Sequence, residues 1–224
     1  MSVEVIRLPR LTPSALPKLS GNEVHLWWLP RSLPDSERGH LFTEDAGGSL
    51  QEPHPHLESE RSHLKAWVRR TRQTLLAHYL EIAVPEVKFT YGQYGKPLIA
   101  ASPTIDFSTS YTAHGAVIAF SRHGFIGVDA ECNLAVASTL GDYAFTPAEI
   151  AWARLSADFT RAFTELWTRK EAVLKALGCG LNLSPASFST VAPGDDPASN
   201  HKWNIRWESG ERIRGQSLTI NDAI

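Results

Sequence analysis

Residues 159–178, FTRAFTELWTRKEAVLKALG, constrain this chain more than any other stretch. Wound at 3.6 residues per turn, Phe163, Leu166, Trp167, Val173, Leu174 and Leu177 share one face. GCG follows, and a glycine just past the last apolar position is a helix C-cap signal. The pattern predicts an amphipathic helix from about Phe159 to Leu177 whose stripe must be buried. Two charges disturb it. Lys170 falls in the middle of the stripe, and Glu171 sits at its edge beside Lys175. A lysine in a core stripe has to snorkel to water or find a partner. Glu171 and Lys175, four residues apart, also fit an ordinary surface pair worth about 0.2–0.5 kcal/mol.

Other elements can be placed around that helix. EVHLWWLP alternates as a strand, with Val24, Leu26 and Trp28 opposite Glu23, His25 and Trp27. GGSLQEPHPHLESERSH reads as a loop. LKAWVRRTRQTLLAHYL has helical spacing, with Arg69, Arg70 and Arg72 crowding its middle. VKFTYGQYGKPLIA reads as strand, glycine turn and an extended Lys-Pro segment. GAVIAFSRHGFIGVDAE predicts a hairpin turning at SRHG, and FTPAEI a helix start. FSTVAP, HKWNIRWES and RGQSLTIND predict closing antiparallel strands. The order strands, long helix, strands thus occurs twice, although no residue-by-residue repeat accompanies it.

Composition narrows the partners. With 224 residues and a formal net charge of −2, the chain has no global basic field for nucleic acid. An anionic ligand has to be held by local charge. The two cysteines, Cys132 and Cys179, lie far apart without metal-ligand spacing, which suits a reducing compartment. No run reaches the 18 apolar residues of a membrane span, and the N-terminal segment lacks a signal-peptide core. A cytoplasmic protein is expected.

GVDAE, read as a strand, points Asp129 and Glu131 to one side. Carboxylates about 7 Å apart repel unless a cation lies between them, and a hard divalent ion such as Mg²⁺ suits oxygen donors. A solvated strand end would produce the same pattern. The histidines of PHPHLESERSH lack a zinc spacing, and the seven tryptophans come with no basic stripe for stacking nucleic-acid bases. There is no G-x-S-x-G elbow, Walker A loop or G-x-G-x-x-G after a strand.

Taken in order, YGKP, FSTSYT, GVDAE, FTPAEI and WTRKEAVLKALGCGL resemble the 4′-phosphopantetheinyl transferases, in the long, monomeric, surfactin-synthetase-activating type. The likeness runs from about Val87 to Phe188. It implies an enzyme that moves the phosphopantetheine arm of coenzyme A onto a serine of an acyl, polyketide or peptidyl carrier protein, releasing adenosine 3′,5′-bisphosphate. By motif, Asp129, Glu131 and Glu171 would hold Mg²⁺, Glu171 would also serve as base, and Lys175 would contact the transferred phosphate. Lys96 and Pro97 would line the coenzyme A site, with Ser110 and Tyr111 near the 3′-phosphate and Arg69 a further candidate. The resemblance has two departures in one segment, and Ser108 in place of the family's usual asparagine is the lesser. The family's usual histidine is Tyr111 here, and a phenol carries no positive charge at neutral pH. His114 or an arginine is then needed to compensate.

The expected fold is α+β. Two similar halves related by pseudo-twofold symmetry, 1–104 and 105–224, each set a small, mainly antiparallel sheet on a long helix. Coenzyme A is expected in the cleft between them, with the metal site in the second half. The expected protein is a cytoplasmic monomer serving secondary metabolism. A non-catalytic coenzyme A or carrier-protein binder of the same fold is the alternative, and a Mg²⁺-dependent phosphotransferase or phosphodiesterase a more distant one. The transferase reading requires Glu171 to approach Asp129 and Glu131 closely enough to share one ion.

Overall fold

The computed structural model describes residues 2–7, 16–33, 60–100, 104–132, 141, 143–192, 194–197, 202–206 and 212–218. Most of the expected Gly-, Pro- and His-rich loop lies outside them, and its last residues, from Glu60, already belong to a helix. By its contacts the chain divides into two units, Met1–Ile126 and Gly127–Ile224.

In the first unit, β1 (Ser2–Arg7) precedes β2 (Glu23–Pro30), followed by helix α1 (Glu60–Leu80). A small hairpin, β3 (Phe89–Tyr91) and β4 (Pro97–Ile99), comes next, then β5 (Asp106–Tyr111) and β6 (Gly115–Ser121). The main sheet has the order β1-β2-β6-β5, with β1 parallel to β2 and the other pairs antiparallel. It is therefore mixed rather than purely antiparallel.

β6 is hydrogen-bonded on both edges, to β2 and to β5. The run FIGVDAE, expected to be its hairpin partner, has no free edge to join, and residues 125–131 form no strand. Gly124 still turns the chain, at φ +95°. The same pairing explains the division of the units. β5 and β6 complete the sheet that holds β2.

Helix α1 turns Leu64, Trp67, Val68, Leu75 and Leu76 into a core with Trp27, Leu29, Phe107, Ile118 and Phe120. Each such side chain, fully buried, is worth about 1.5–3 kcal/mol. Three polar side chains of this core bond to one another. Trp27 Nε1 donates to Tyr79 Oη at 2.9 Å. The Tyr79 hydroxyl hydrogen is then left for His25 Nδ1, 2.7 Å away.

The second unit contains α2 (Pro147–Arg154), α3 (Phe159–Leu177) and an antiparallel pair, β7 (Lys202–Arg206) and β8 (Arg212–Gln216). Thr146 and Glu149 form a reciprocal capping box at the start of α2, with Pro147 at its first turn. Asp158 caps α3, and Gly178 ends it at φ 68°, the left-handed conformation glycine adopts without strain. The stripe read from sequence is buried in two clusters except at its end, where Leu177 is 45% exposed, and Trp167 is only partly buried. Phe163 and Leu166 pack with Phe145 and Trp152, while Val173 and Leu174 pack with Phe188 and Ile205. FSTVAP is not a strand within its described residues. Its backbone groups bond to side chains of α2 and α3 instead. Thr190 N donates to Glu149 Oε1, and Phe188 O accepts from Lys170 Nζ. The fold is thus α+β, with small mixed and antiparallel sheets. No helix among the described residues is long and apolar enough to cross a membrane.

Candidate active site

The segment Gly127–Glu131 reaches the middle of α3 without being a strand. A Cβ at Gly127 would collide with the Ala172 carbonyl oxygen and lie 2.5 Å from Ala176 N. The chain can lie this close because position 127 has no side chain and the helix offers alanines there. The glycine of GVDAE is therefore required by packing, and it lays the carboxylate segment directly on the helix that carries Glu171 and Lys175. Gly127→Ala is expected to push the two apart and cost about 1–3 kcal/mol of stability, the range for overpacking. Denaturant unfolding measures it, and an unchanged midpoint would refute the close approach.

Lys175 Nζ donates to Asp129 Oδ1 at 2.6 Å, with the Asp129 side chain 5% exposed and that of Lys175 31%. Burial raises the pKa of Glu171, and the Asp129 charge raises it further, while Lys175 opposes both. Glu131 is raised in the same way, by burial, then by Asp129, with Glu171 adding to it. The three carboxylates thus act on one another electrostatically. They do not converge on one point. Among the described residues no three His, Cys, Asp or Glu side chains are gathered as ligands of one ion. Lys175 pairs with Asp129, and its charge only partly offsets the rise at Glu131 and Glu171. An oxygen donor set with surplus negative charge fits a hard divalent cation.

Lys170 has a different role from its neighbour. Its side chain is 0% exposed and pairs with Glu149 Oε2 at 2.8 Å, where Glu149 is also 0% exposed. Its two further bonds go to the Pro185 and Phe188 carbonyl oxygens, each at 2.6 Å. All three ammonium protons are used. The remaining capacity of Glu149 is filled by Thr146 and Thr190. The charge in the apolar stripe is therefore structural, joining α2, α3 and the 185–190 segment. Arg169 works alongside it, bonding Thr190 O and Ser217 Oγ and lying 5.2 Å from the Trp152 ring.

The remaining sequence candidates lie in the first unit. Lys96 Nζ is held by Asp106 Oδ2 at 2.6 Å and by Ile126 O at 3.2 Å. Asp106 Oδ2 also accepts from Ile126 N at 2.7 Å. Lys96 thus anchors the chain just ahead of GVDAE. Pro97 opens β4, half-buried. Ser110 and Tyr111 are adjacent on β5 and so point to opposite faces, Ser110 buried and Tyr111 38% exposed. Arg69 is exposed on α1.

Arg72 is the residue that sequence reasoning leaves without a role. Its guanidinium carbon lies 5.1 Å from the ring centres of both Phe89 and Phe107. The charges of Arg72 and Arg69 counter the rise that burial imposes on the Tyr111 pKa. A helix of apolar spacing with three arginines is the signal the sequence offers, but it does not say which one meets Tyr111.

Comparison with known proteins follows this geometry. The family model described as 4′-phosphopantetheinyl transferase superfamily matches residues 125–218. The chain is 30% identical over 171 residues to the 4′-phosphopantetheinyl transferase HetI of Nostoc, covering 73% of this chain and 72% of that protein. It is 27% identical over 129 residues to the 4′-phosphopantetheinyl transferase Sfp of Bacillus subtilis, 57% of each. With the 4′-phosphopantetheinyl transferase gsp of Aneurinibacillus migulanus it shares 30% identity over 115 residues, 50% of this chain and 47% of that protein.

Proposed function

Because the chain belongs to the 4′-phosphopantetheinyl transferase family, we propose that it transfers the phosphopantetheine arm of coenzyme A to a serine of an acyl, polyketide or peptidyl carrier protein. The observation that carries this reading is the Asp129, Glu131, Glu171 and Lys175 group, formed where GVDAE lies on α3.

The serine Oγ forms a bond to the phosphorus nearer the pantetheine. The bond from that phosphorus to the bridging oxygen breaks, and its electron pair leaves with adenosine 3′,5′-bisphosphate. Asp129, Glu131 and Glu171 would hold Mg²⁺, which when bound neutralises the pyrophosphate oxygens. Glu171 takes the serine proton, a task helped by a carboxylate more basic than usual. Lys175, 31% exposed beside Asp129, turns its ammonium to the transferred phosphoryl group and offsets the negative charge there. In this reading Lys96 and Pro97 contribute to coenzyme A binding chiefly by shaping the chain around them, since the Lys96 ammonium is committed to Asp106.

The reading also carries a cytoplasmic monomer with a duplicated plan. Counted from residue 105, the order β5, β6, α3, β7, β8 repeats the order β1, β2, α1, β3, β4, with α2 added. This supports halves of 1–104 and 105–224. The two free cysteines suit a reducing compartment.

Incubation with coenzyme A, Mg²⁺ and a panel of apo-carrier proteins tests the function. The expected result is a carrier heavier by one phosphopantetheine, on the serine. Coenzyme A bound tightly with no carrier modified would instead identify a non-catalytic binder.

A further inference from the structure

We propose that His25 is an acid-sensitive latch on the edge strand β1, closed while its imidazole is neutral and released when a further proton enters the ring. The latch lies wholly within the first unit and uses none of the residues assigned to transfer.

β1 is joined to its sheet through β2 alone, in a parallel register that sets Glu4 directly across from His25. Glu23, two residues before His25 on β2, shares its face. The His25 side chain is 0% exposed, and its Nε2 lies 3.6 Å from Glu4 Oε2 and 3.8 Å from Glu23 Oε2. Both separations exceed a hydrogen bond, so Nε2 is buried with no hydrogen-bond partner among the described residues. The other side of the ring is held from α1, where Tyr79 Oη lies 2.7 Å from Nδ1. The charges that act on the ring are Glu4 of β1, Glu23 of β2 and His78 of α1. β6 places only the apolar Phe120 across from it.

The hydrogen bonds fix where a further proton can go. Trp27 Nε1 donates to Tyr79 Oη, so the Tyr79 hydroxyl hydrogen points at Nδ1 and the ring carries its own hydrogen on Nε2. Only Nδ1 can accept another. That nitrogen would then donate to Tyr79 Oη alongside Trp27, and the phenol hydrogen would be stranded in the core. The three-membered chain has to break before the imidazolium forms, and breaking a buried polar chain is costly.

Electrostatics agree with that geometry. Burial lowers the His25 pKa and His78 adds to the fall, while Glu4 and Glu23 oppose it without reversing it. The imidazolium is therefore favoured only where water reaches the ring. The least costly opening is at β1, which has one neighbouring strand and whose Glu4 side chain is 57% exposed. The closed ring titrates below the open one, so the open form takes the proton. The latch is at full strength above the ordinary histidine value of about 6.5 and weakens as pH falls below it, by up to about tenfold per pH unit, until the lowered value is reached. Its release uncovers the outer edge of β2.

Native-state hydrogen exchange on the full chain, corrected for the intrinsic rate at each pH, tests the latch. Amides bonded between β1 and β2 should lose about tenfold in protection from pH about 7.5 to pH about 5.5, while those of the β5–β6 pair change by less than about twofold. His25→Asn, whose side-chain oxygen can take the Tyr79 hydrogen and which does not titrate, should abolish the pH-dependent loss. The same loss in that variant, or an equal loss at β5–β6 in the intact chain, would overturn the proposal. Ring nitrogen chemical shifts of the intact chain give a check that needs no variant. Nε2 should carry the hydrogen at pH about 7.5, and His25 should titrate below about 6.5. A hydrogen on Nδ1, or titration at or above that value, would overturn it equally.

Discussion

Glu171→Gln is expected to slow transfer by about a hundredfold or more, the range for removing a general base, while making the chain harder to unfold. The amide keeps the shape of the side chain but neither accepts the serine proton nor adds negative charge for a cation. The gain in stability follows from the apo protein's electrostatics. Burial and Asp129 both raise the Glu171 pKa in the folded chain, so folding penalises its ionised form. Below the ordinary carboxylate range Glu171 is protonated both folded and unfolded, and the penalty is absent. As pH rises through the raised folded value the penalty grows to its full size. With chelator present, Glu171→Gln should therefore melt above the parent chain at pH about 7.5, and the difference should close near pH about 4. A variant less stable than its parent at neutral pH would show that Glu171 is favourably paired, and the proposed cation site would lose its basis. Loss of activity with greater stability is characteristic of a residue held for function at a stability cost.

The second large effect is on folding. Lys170→Met should lose about 3–5 kcal/mol, because it leaves Glu149 buried with an uncompensated charge. That is a large part of the roughly 5–15 kcal/mol that stabilises an ordinary domain. Glu149→Gln added to Lys170→Met should restore part of the loss. It removes the stranded charge, and glutamine still serves the capping box. Urea unfolding of the single and double variants measures the coupling. A single variant that loses less than about 1 kcal/mol would mean that water reaches Glu149 and that the pair is not a fixed joint of the unit.

Local patterns are legible in the chain itself. The α3 limits follow from an Asp cap, a 3.6-residue stripe and a terminal glycine, all within reach of one another along the chain. α1 is legible for the same reason, and so are the Thr146 cap of α2 and the glycine turn of the β3–β4 hairpin. The GVDAE segment is the instructive misreading. Its alternation and the preceding turn at Gly124 imitate a hairpin. A strand needs a free edge, and β6 gives one edge to β2 and the other to β5. Edge availability is a property of the whole sheet, so no window of sequence contains it. β1 is not legible because its parallel partner, β2, is separated from it by a long connection.

The site divides along the same line. The sequence by itself determined which groups are available: Asp129, Glu131, Glu171 and Lys175, their spacing, and the family they mark. It also determined that Tyr111 lacks the charge of a histidine. Only the tertiary structure decided which charges meet. Lys170 is one peptide bond from Glu171, yet it pairs with Glu149 of another helix, while Lys175 takes Asp129 from a segment laid on α3 by a glycine. Arg72 comes beside Tyr111 because α1 packs on β5. The physical reason is one of range. Helix caps and periodicity are set by bonds a few residues long, whereas the partner of a buried charge is chosen when distant segments exclude water together, where leaving it unpaired costs most.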